Sequence, residues 1–446
     1  MRSFVTCVVL CLCCGCPGPS SSDGGAGGGA GGGAPSFDSG FVQILPAGMT
    51  GQAYAVVPTG AGDDVFVVGN GASDGGSPAL LVARVKTDRT LERRWGTEGL
   101  SVSDVADGIS AGIGSFSTDT GYAAFVDPDT RELYVTGVAQ ALQVPGQGLK
   151  VLLAKFRPNG TLDTSFGNTG ATTGIRLDGF TGTSASATAI LKQPDGKLLI
   201  GGDVQSNFFV TRYLPNGTAD TTFSKTPGMG FGAAWGTTRA EGTRSMVLDP
   251  DGKIVVFGGA SMSAARLLSD GQLDLSFGTA GFFSSGNATG AALWRKGDGS
   301  YLAVGSDEVA TDGGKQFAVR FLEISAAGVA EASGGRTIVM PAGPGLSSIR
   351  GAARLADGRV VLYLTGLGTT YLVRFNADLT LDSTFLEGGS LKQLSVKLPL
   401  LQPAFMEGQH LAVIGDRFWI ADITNVLVDP KAPATKNFFE VVTGAL

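Results

Sequence analysis

With 446 residues, a formal charge of −6 and only 16% charged residues, the chain repels a phosphate backbone, and no nucleic-acid partner is expected. Seventy glycines and no long stretch of 3.6-residue apolar periodicity favour short strands joined by tight turns, an all-β chain. All five cysteines, Cys7, Cys11, Cys13, Cys14 and Cys16, precede residue 17, which removes disulfides, thiolate metal sites and thiol catalysis from the body.

Arg2 followed by the apolar run Phe4 to Leu12 predicts a secretory signal over residues 1–15, too short to span a bilayer as a permanent helix. Gly15 before Cys16 resembles the processing site of bacterial lipoproteins, which implies removal of that signal and lipidation of Cys16. The match departs from the pattern at Cys13, where that family usually has Leu, so plain secretion after a cut elsewhere is the alternative. Pro17 stands where Gram-negative lipoproteins kept at the inner membrane often carry Asp. The expected address is therefore the outer membrane or cell surface, with the periplasm or secretion as the alternative. Ser20 to Ala34 has no side chains able to build a core, and residues 16–35 read as a tether. A coil of this length spans roughly 20 Å.

Residues 36–446 read as one repeat domain. The clearest unit runs from Phe156 to Gly170, FRPNGTLDTSFGNTG, with its core at Leu162-Asp163-Thr164-Ser165-Phe166. Copies follow at Ala219 to Phe223, Leu273 to Phe277 and Leu381 to Phe385, and a degenerate one at Leu91 to Gly96. The gap from Phe277 to Phe385 is twice that from Phe223 to Phe277, which calls for a worn copy near Ala330 to Gly335. A second landmark keeps step: a turn such as Pro194-Asp195-Gly196-Lys197 or Pro250-Asp251-Gly252-Lys253, then a short apolar run ending in Gly. In the unit between these turns, strands are expected at Ala185 to Leu191, Lys197 to Gly201, Phe208 to Leu214 and near Met229 to Ala234. Asp-Gly and Asn-Gly pairs supply the positive φ angles of tight hairpins.

These paired signatures resemble the delta-60 repeat family of bacterial exported proteins, whose repeats are thought to form β-propeller blades. The resemblance implies a fold and an exported habit, and it brings no catalytic residues. A repeat this short cannot bury its own apolar faces, so copies must stack. The opening Pro35 to Gly40, with Phe41 to Leu45 after it, matches the tail of a repeat rather than its start. The N-terminal strand is therefore expected to complete a last blade built from Gln402 to Met406, His410 to Gly415 and Arg417 to Ile423. Counting units gives a seven-bladed β-propeller closed by that strand, with six blades as the alternative.

One basic residue recurs on the third strand of most units, eight residues before the motif acid. The pairs are Lys155 and Asp163, Arg212 and Asp220, Arg266 and Asp274, and Arg374 and Asp382; Arg84 stands the same way before Glu92. Arg320 lies in the worn unit, and Asp422 replaces the base in the last. These read as structural ion pairs that hold a turn, against the alternative of a cationic ring around a channel. Trp95, Phe166, Phe223, Phe277 and Phe385 read as plugs between blades rather than a stacking platform. His410 is the only histidine, Asp249 to Gly252 lacks the Glu of a calcium loop, and no Gly-x-Ser-x-Gly elbow occurs. Asn159, Asn216 and Asn287 head sequons, two of them in repeat turns, and are read as turn residues. No catalytic residue, metal or cofactor is assigned. The expected protein is a monomeric, lipid-anchored, non-enzymatic binding head for an unknown protein or glycan. The alternatives are a hydrolase, lyase or quinoprotein-like dehydrogenase at a channel mouth, with its loops at Asp107 to Thr120 and Ala139 to Leu149, and a purely structural envelope component.

Overall fold

Apolar runs of five to ten residues, broken by Gly, Asn and Asp, fold back on one another as hairpins. The computed structural model describes residues 42–446 apart from 74–75, 77, 104–116, 142–148, 168–173, 180–183, 206, 224–232, 236–241, 287, 313, 332–334, 342–345, 367–368, 386–391, 395–408 and 430–431. The expected signal, lipidated Cys16 and tether, and the expected strand Gln402 to Met406, lie outside the described residues.

After β1 (Val42–Gln43) the first sheet holds β2 (Met49–Pro58), β3 (Val65–Ser73), β4 (Ala79–Val85) and β5 (Leu100–Ser103). The second holds β6 (Ser117–Val126), β7 (Leu133–Ala141), β8 (Lys150–Phe156) and β9 (Ile175–Asp178). In the third are β10 (Ala185–Lys192), β11 (Leu198–Val204), β12 (Asn207–Tyr213) and β13 (Ala233–Trp235). The fourth comprises β14 (Thr243–Leu248), β15 (Ile254–Gly258), β16 (Ser263–Leu267) and β17 (Phe282–Phe283). Then come β18 (Thr289–Arg295), β19 (Tyr301–Thr311), β20 (Gly314–Ile324) and β21 (Arg336–Val339). The sixth sheet has β22 (Leu346–Arg354), β23 (Val360–Gly366), β24 (Thr369–Phe375) and β25 (Lys392–Leu394). Last are β26 (Leu411–Ile414), β27 (Arg417–Asp429) and β28 (Ala432–Ala445), to which β1 adds the fourth strand in the order β1-β28-β27-β26.

Every pairing between these strands is antiparallel, and one 3-10 turn, Ser383–Phe385, is the sole helical element among the described residues. The chain is all-β. The worn unit is present where the spacing calls for it: Ala330 bridges Ile324, as Leu162 bridges Phe156 and Leu273 bridges Leu267. One expectation is corrected at the C-terminus. The strand beside β1 is β28, within 432–445, a segment in which Pro433 argues against a strand when the sequence is read alone. Its register with β1 sets Val42 opposite Val441 and Gln43 opposite Glu440.

First strands of successive sheets are neighbours in turn: β2 meets β6, then β10, β14, β18, β22 and β26 follow, and β26 meets β2. Ile44 and Leu45 share a buried cluster with Val56 and Leu81 of the first sheet and with Trp419, Ala421 and Val441 of the last.

The first strands share a second feature. Their register with the second strand slips by one residue at Tyr54, Tyr122, Thr188, Arg244, Ala291 and Arg350, in six different sheets. Such a β-bulge leaves one residue unpaired, kinks the strand and re-aims its side chain. The kink throws a backbone carbonyl onto the neighbouring strand. A Cβ on Gly69 would lie 1.8 Å from the oxygen of Gln52, one on Gly137 1.9 Å from that of Thr120, and one on Gly202 1.9 Å from that of Ser186. Hence the apolar run of the second landmark ends in Gly.

Candidate functional site

The bases and acids that recur in the repeat lie together in the structure. Lys155 Nζ is 3.0 Å from Asp163 and 2.8 Å from Glu132. The Nε atoms of Arg212, Arg266 and Arg374 donate to Asp220, Asp274 and Asp382 at 2.9, 2.8 and 2.8 Å. Each aspartate also caps its turn through its second oxygen: Asp274 Oδ1 accepts from the Ser276 amide at 3.1 Å and from its hydroxyl at 2.6 Å. Burial raises the Asp163 and Asp274 carboxyl pKa values, but the turn hydroxyl and amide and the neighbouring cations outweigh it and hold both well below the usual carboxylate range. Burial alone would lower Lys155, yet its bonds to Glu132 and Asp163 push it up to about 12. Arg84 departs from the eight-residue spacing, since its partner is Asp64 at 3.2 Å and not Glu92. Arg320 faces Asp307 at 3.6 Å.

Motif aromatics sit under these cations. The guanidinium carbons of Arg212, Arg266 and Arg374 lie 4.6, 4.7 and 4.6 Å from the ring centres of Phe223, Phe277 and Phe385. Trp95, Phe166, Phe223, Phe277 and Phe385 are all buried. The glycine after three of these aromatics reaches the next sheet: Gly96 N donates to Asn159 O at 2.7 Å, Gly167 N to Asn216 O at 2.8 Å and Gly278 N to Ala327 O at 2.7 Å. The turn glycine that follows those asparagines is pressed on the ring, with a Cβ on Gly217 only 2.8 Å from Phe166 Cζ. The Asn-Gly turns and the Phe-Gly tails are thus two halves of one contact between neighbouring sheets.

A cavity of about 320 Å³ lies where first strands of five sheets converge, lined by segments of β2, β14, β18 and β22 and by residues 409–413. Two of the six bulge residues with arginine side chains, Arg244 and Arg350, face it, and the bulge residue of the sheet between them is Ala291. Arg244 is exposed, while Arg350 is half-buried and its Nε donates to Thr365 Oγ1 at 3.4 Å. Trp294, Gln409 and His410 complete the wall, and among the described residues no carboxylate lines it. Gln409 is fixed at both ends, since its backbone oxygen accepts from Val56 N at 2.9 Å and its Oε1 from Ala124 N at 3.1 Å. His410 is fully buried, with Nδ1 2.8 Å from Ala421 O and its ring 6.4 Å from that of Tyr54. Tyr54 in turn meets Tyr122 edge to face at 5.0 Å, so two bulge residues on adjacent sheets touch.

The repeat pairs and this cavity are separate groups of residues, the former on third strands and turns, the latter on first strands. Sequence reasoning singled out His410 and passed over Arg244 and Arg350. A signal was present: Tyr122, Thr188 and Arg244 each stand six residues before Pro128, Pro194 and Pro250 of the turn landmark. Among the described residues no group of His, Cys, Asp or Glu is placed to hold a metal ion.

Residues 193–223, 250–277 and 355–385 match the model of a β-propeller family described as a domain of unknown function, DUF5122. The fold is a β-propeller. Each matched segment begins at or just before the turn landmark and ends on the motif phenylalanine, so the model spans one second strand, one third strand and the plug. Among curated proteins none matches this chain in sequence. Similar solved structures include the polysaccharide lyase Uly1 at 10% identity, covering 88% of this chain and 89% of that one with a TM-score of 0.44. A second is YCF48 bound to D1 peptide, at 9% identity, 92% and 97% coverage and a TM-score of 0.42. A third is the AfRom2 CNH domain, at 10% identity, 91% and 99% coverage and 0.44.

Proposed function

We propose that the seven sheets form one seven-bladed ring, latched by β1 on β28, and that the ring is a non-enzymatic binding head held at the cell envelope. Support for closure comes from the cycle of first-strand neighbours that returns from β26 to β2, and from the cluster that Ile44 and Leu45 share with both end sheets. In this reading the repeat ion pairs are structural: each cation is held by an acid, lies on a motif ring and stays out of the cavity. The observation that carries the binding reading is the cavity itself, whose wall is made of re-aimed bulge side chains and an anchored Gln409. Small-molecule and peptide sites on such scaffolds are concave, partly apolar and carry a few placed polar groups.

Signal, Cys16 and tether make the proposed anchor, with the head monomeric and the outer membrane as its address. Replacing Cys16 with Ser is expected to release the protein from membranes into the soluble fraction, while unchanged retention contradicts the anchor. Passing the head over a glycan array and over envelope extracts is expected to give a saturable partner. Turnover of a glycan substrate would contradict the non-enzymatic reading.

A further inference from the structure

Resting on that reading of the cavity as the binding site, we propose that its ligand is a small oxyanion, a carboxylate or phosphate carried on a body the size of one sugar ring. Three observations converge. Arg244 and Arg350 occupy equivalent bulges two sheets apart, and the residue at the bulge between them is Ala291, so space stands where the other bulges place tyrosine, threonine or arginine. Among the described residues the wall carries these two guanidinium groups and no carboxylate. A guanidinium fork matches a planar carboxylate or a phosphate face with paired hydrogen bonds, and it is always charged.

Size and texture limit the body of the ligand. About 320 Å³ is at the low end of small-molecule pockets, which begin near roughly 300 Å³, a volume suited to a single ring. Trp294 supplies apolar wall, and Gln409, clamped through Ala124 N and Val56 N, offers a side chain of fixed direction. These are the contacts that a ring with one flat apolar side and a few hydroxyls would use.

The repeat cations are a separate group from this wall. Lys155, Arg212, Arg266 and Arg374 each have an aspartate within 3.0 Å, and they belong to third strands. Arg244 follows Thr243, whose backbone oxygen accepts the hydroxyl of the Thr188 bulge, so the Arg244 backbone is pinned to the sheet before it. Its side chain can therefore be changed without touching a packed pair.

Three probes that share one ring and differ at the sixth carbon separate the sources of the charge: glucose, glucuronate and glucose 6-phosphate. Calorimetric titration of the full chain is expected to show binding of glucuronate, glucose 6-phosphate or both, and at least tenfold weaker binding of glucose. Arg244→Gln and Arg350→Gln are each expected to weaken the anion by tenfold or more, Arg244→Gln without changing the thermal midpoint of the protein, and 0.5 M salt is expected to weaken it as well. Ala291→Leu, which fills the gap and keeps both charges, is expected to abolish it. Equal binding of all three probes, no binding of either anion, or an unchanged anion affinity in both Arg→Gln variants would overturn the proposal. A glycan or envelope partner that binds undiminished to the double Arg→Gln variant would overturn it while leaving the binding-head reading standing.

Discussion

Arg266 shows how the repeat spends its polar residues. The guanidinium rests on Phe277, donates to Asp274 and reaches the Ala326 carbonyl of the next sheet, so one side chain satisfies its own turn and its neighbour's. Asp274→Ala removes the acid from under a buried cation and orphans the Ser276 amide, and is expected to cost about 3–5 kcal/mol in chemical denaturation. Gly217 is the converse case. Its φ is +82°, and an added Cβ would meet Gly167 N at 2.7 Å and the Phe166 ring at 2.8 Å. Gly217→Ala is expected to lose about 2–3 kcal/mol, from backbone strain and overpacking together. Ala280 sits at φ +53° in an exposed turn where only a methyl group is at stake. Ala280→Gly should gain about 0.5 kcal/mol, the relief of strain exceeding the added chain entropy; a loss of stability would show the turn to be unstrained.

At the scale of the strand, legibility divides along physical lines. Turns and plugs were readable because their chemistry is local: Asn-Gly, Asp-Gly and the Phe-Gly tail are demanded by φ angles and by a ring that recurs at one spacing. Three strands of the third unit, β10, β11 and β12, fall within a few residues of where alternation and turns put them, while most of the fourth expected strand, residues 229–232, lies outside the described residues. The bulges are harder to read, since the residue types at Thr188 and Arg244 do not announce a slip; only their fixed distance before the turn proline and the glycine across from the slip record it. The glycine's meaning appears once the carbonyl of residue 186 is seen to occupy the place of a side chain. β28 escapes the sequence for another reason: Pro433 argues against a strand, and its partner β1 lies at the far end of the chain, where no local signal reaches. Gly202→Ala is expected to push the Thr188 bulge out of register and lower the unfolding midpoint. An unchanged midpoint would mean that the bulge can relax without cost.

For the whole molecule, acid is the informative stress. The folded pKa values of Asp163, Asp220, Asp274 and Asp382 all lie below the ordinary carboxylate value, each by the balance of burial, which raises them, against turn hydrogen bonds and the paired cation, which lower them more. A depressed folded value means that each aspartate stabilises fully above its unfolded pKa, and that this contribution drains away as pH falls. Stability is therefore expected to stay level from neutral pH to about 5 and to fall steadily below it. Asp274→Asn should flatten part of that slope.

The central claim is that the two ends of the chain meet in one sheet and close the ring, and cysteine chemistry tests it directly because the body contains no cysteine. Gln43 and Glu440 are opposite one another in the β1–β28 register. Antiparallel partners place their Cα atoms about 4.5–5.5 Å apart, within reach of a disulfide. With Cys7, Cys11, Cys13, Cys14 and Cys16 changed to serine, Gln43→Cys combined with Glu440→Cys is expected to form an intramolecular disulfide in the native protein, seen by mass spectrometry of the peptides, and to raise the unfolding midpoint. A native monomer in which both thiols stay free under oxidising conditions would contradict the closed ring.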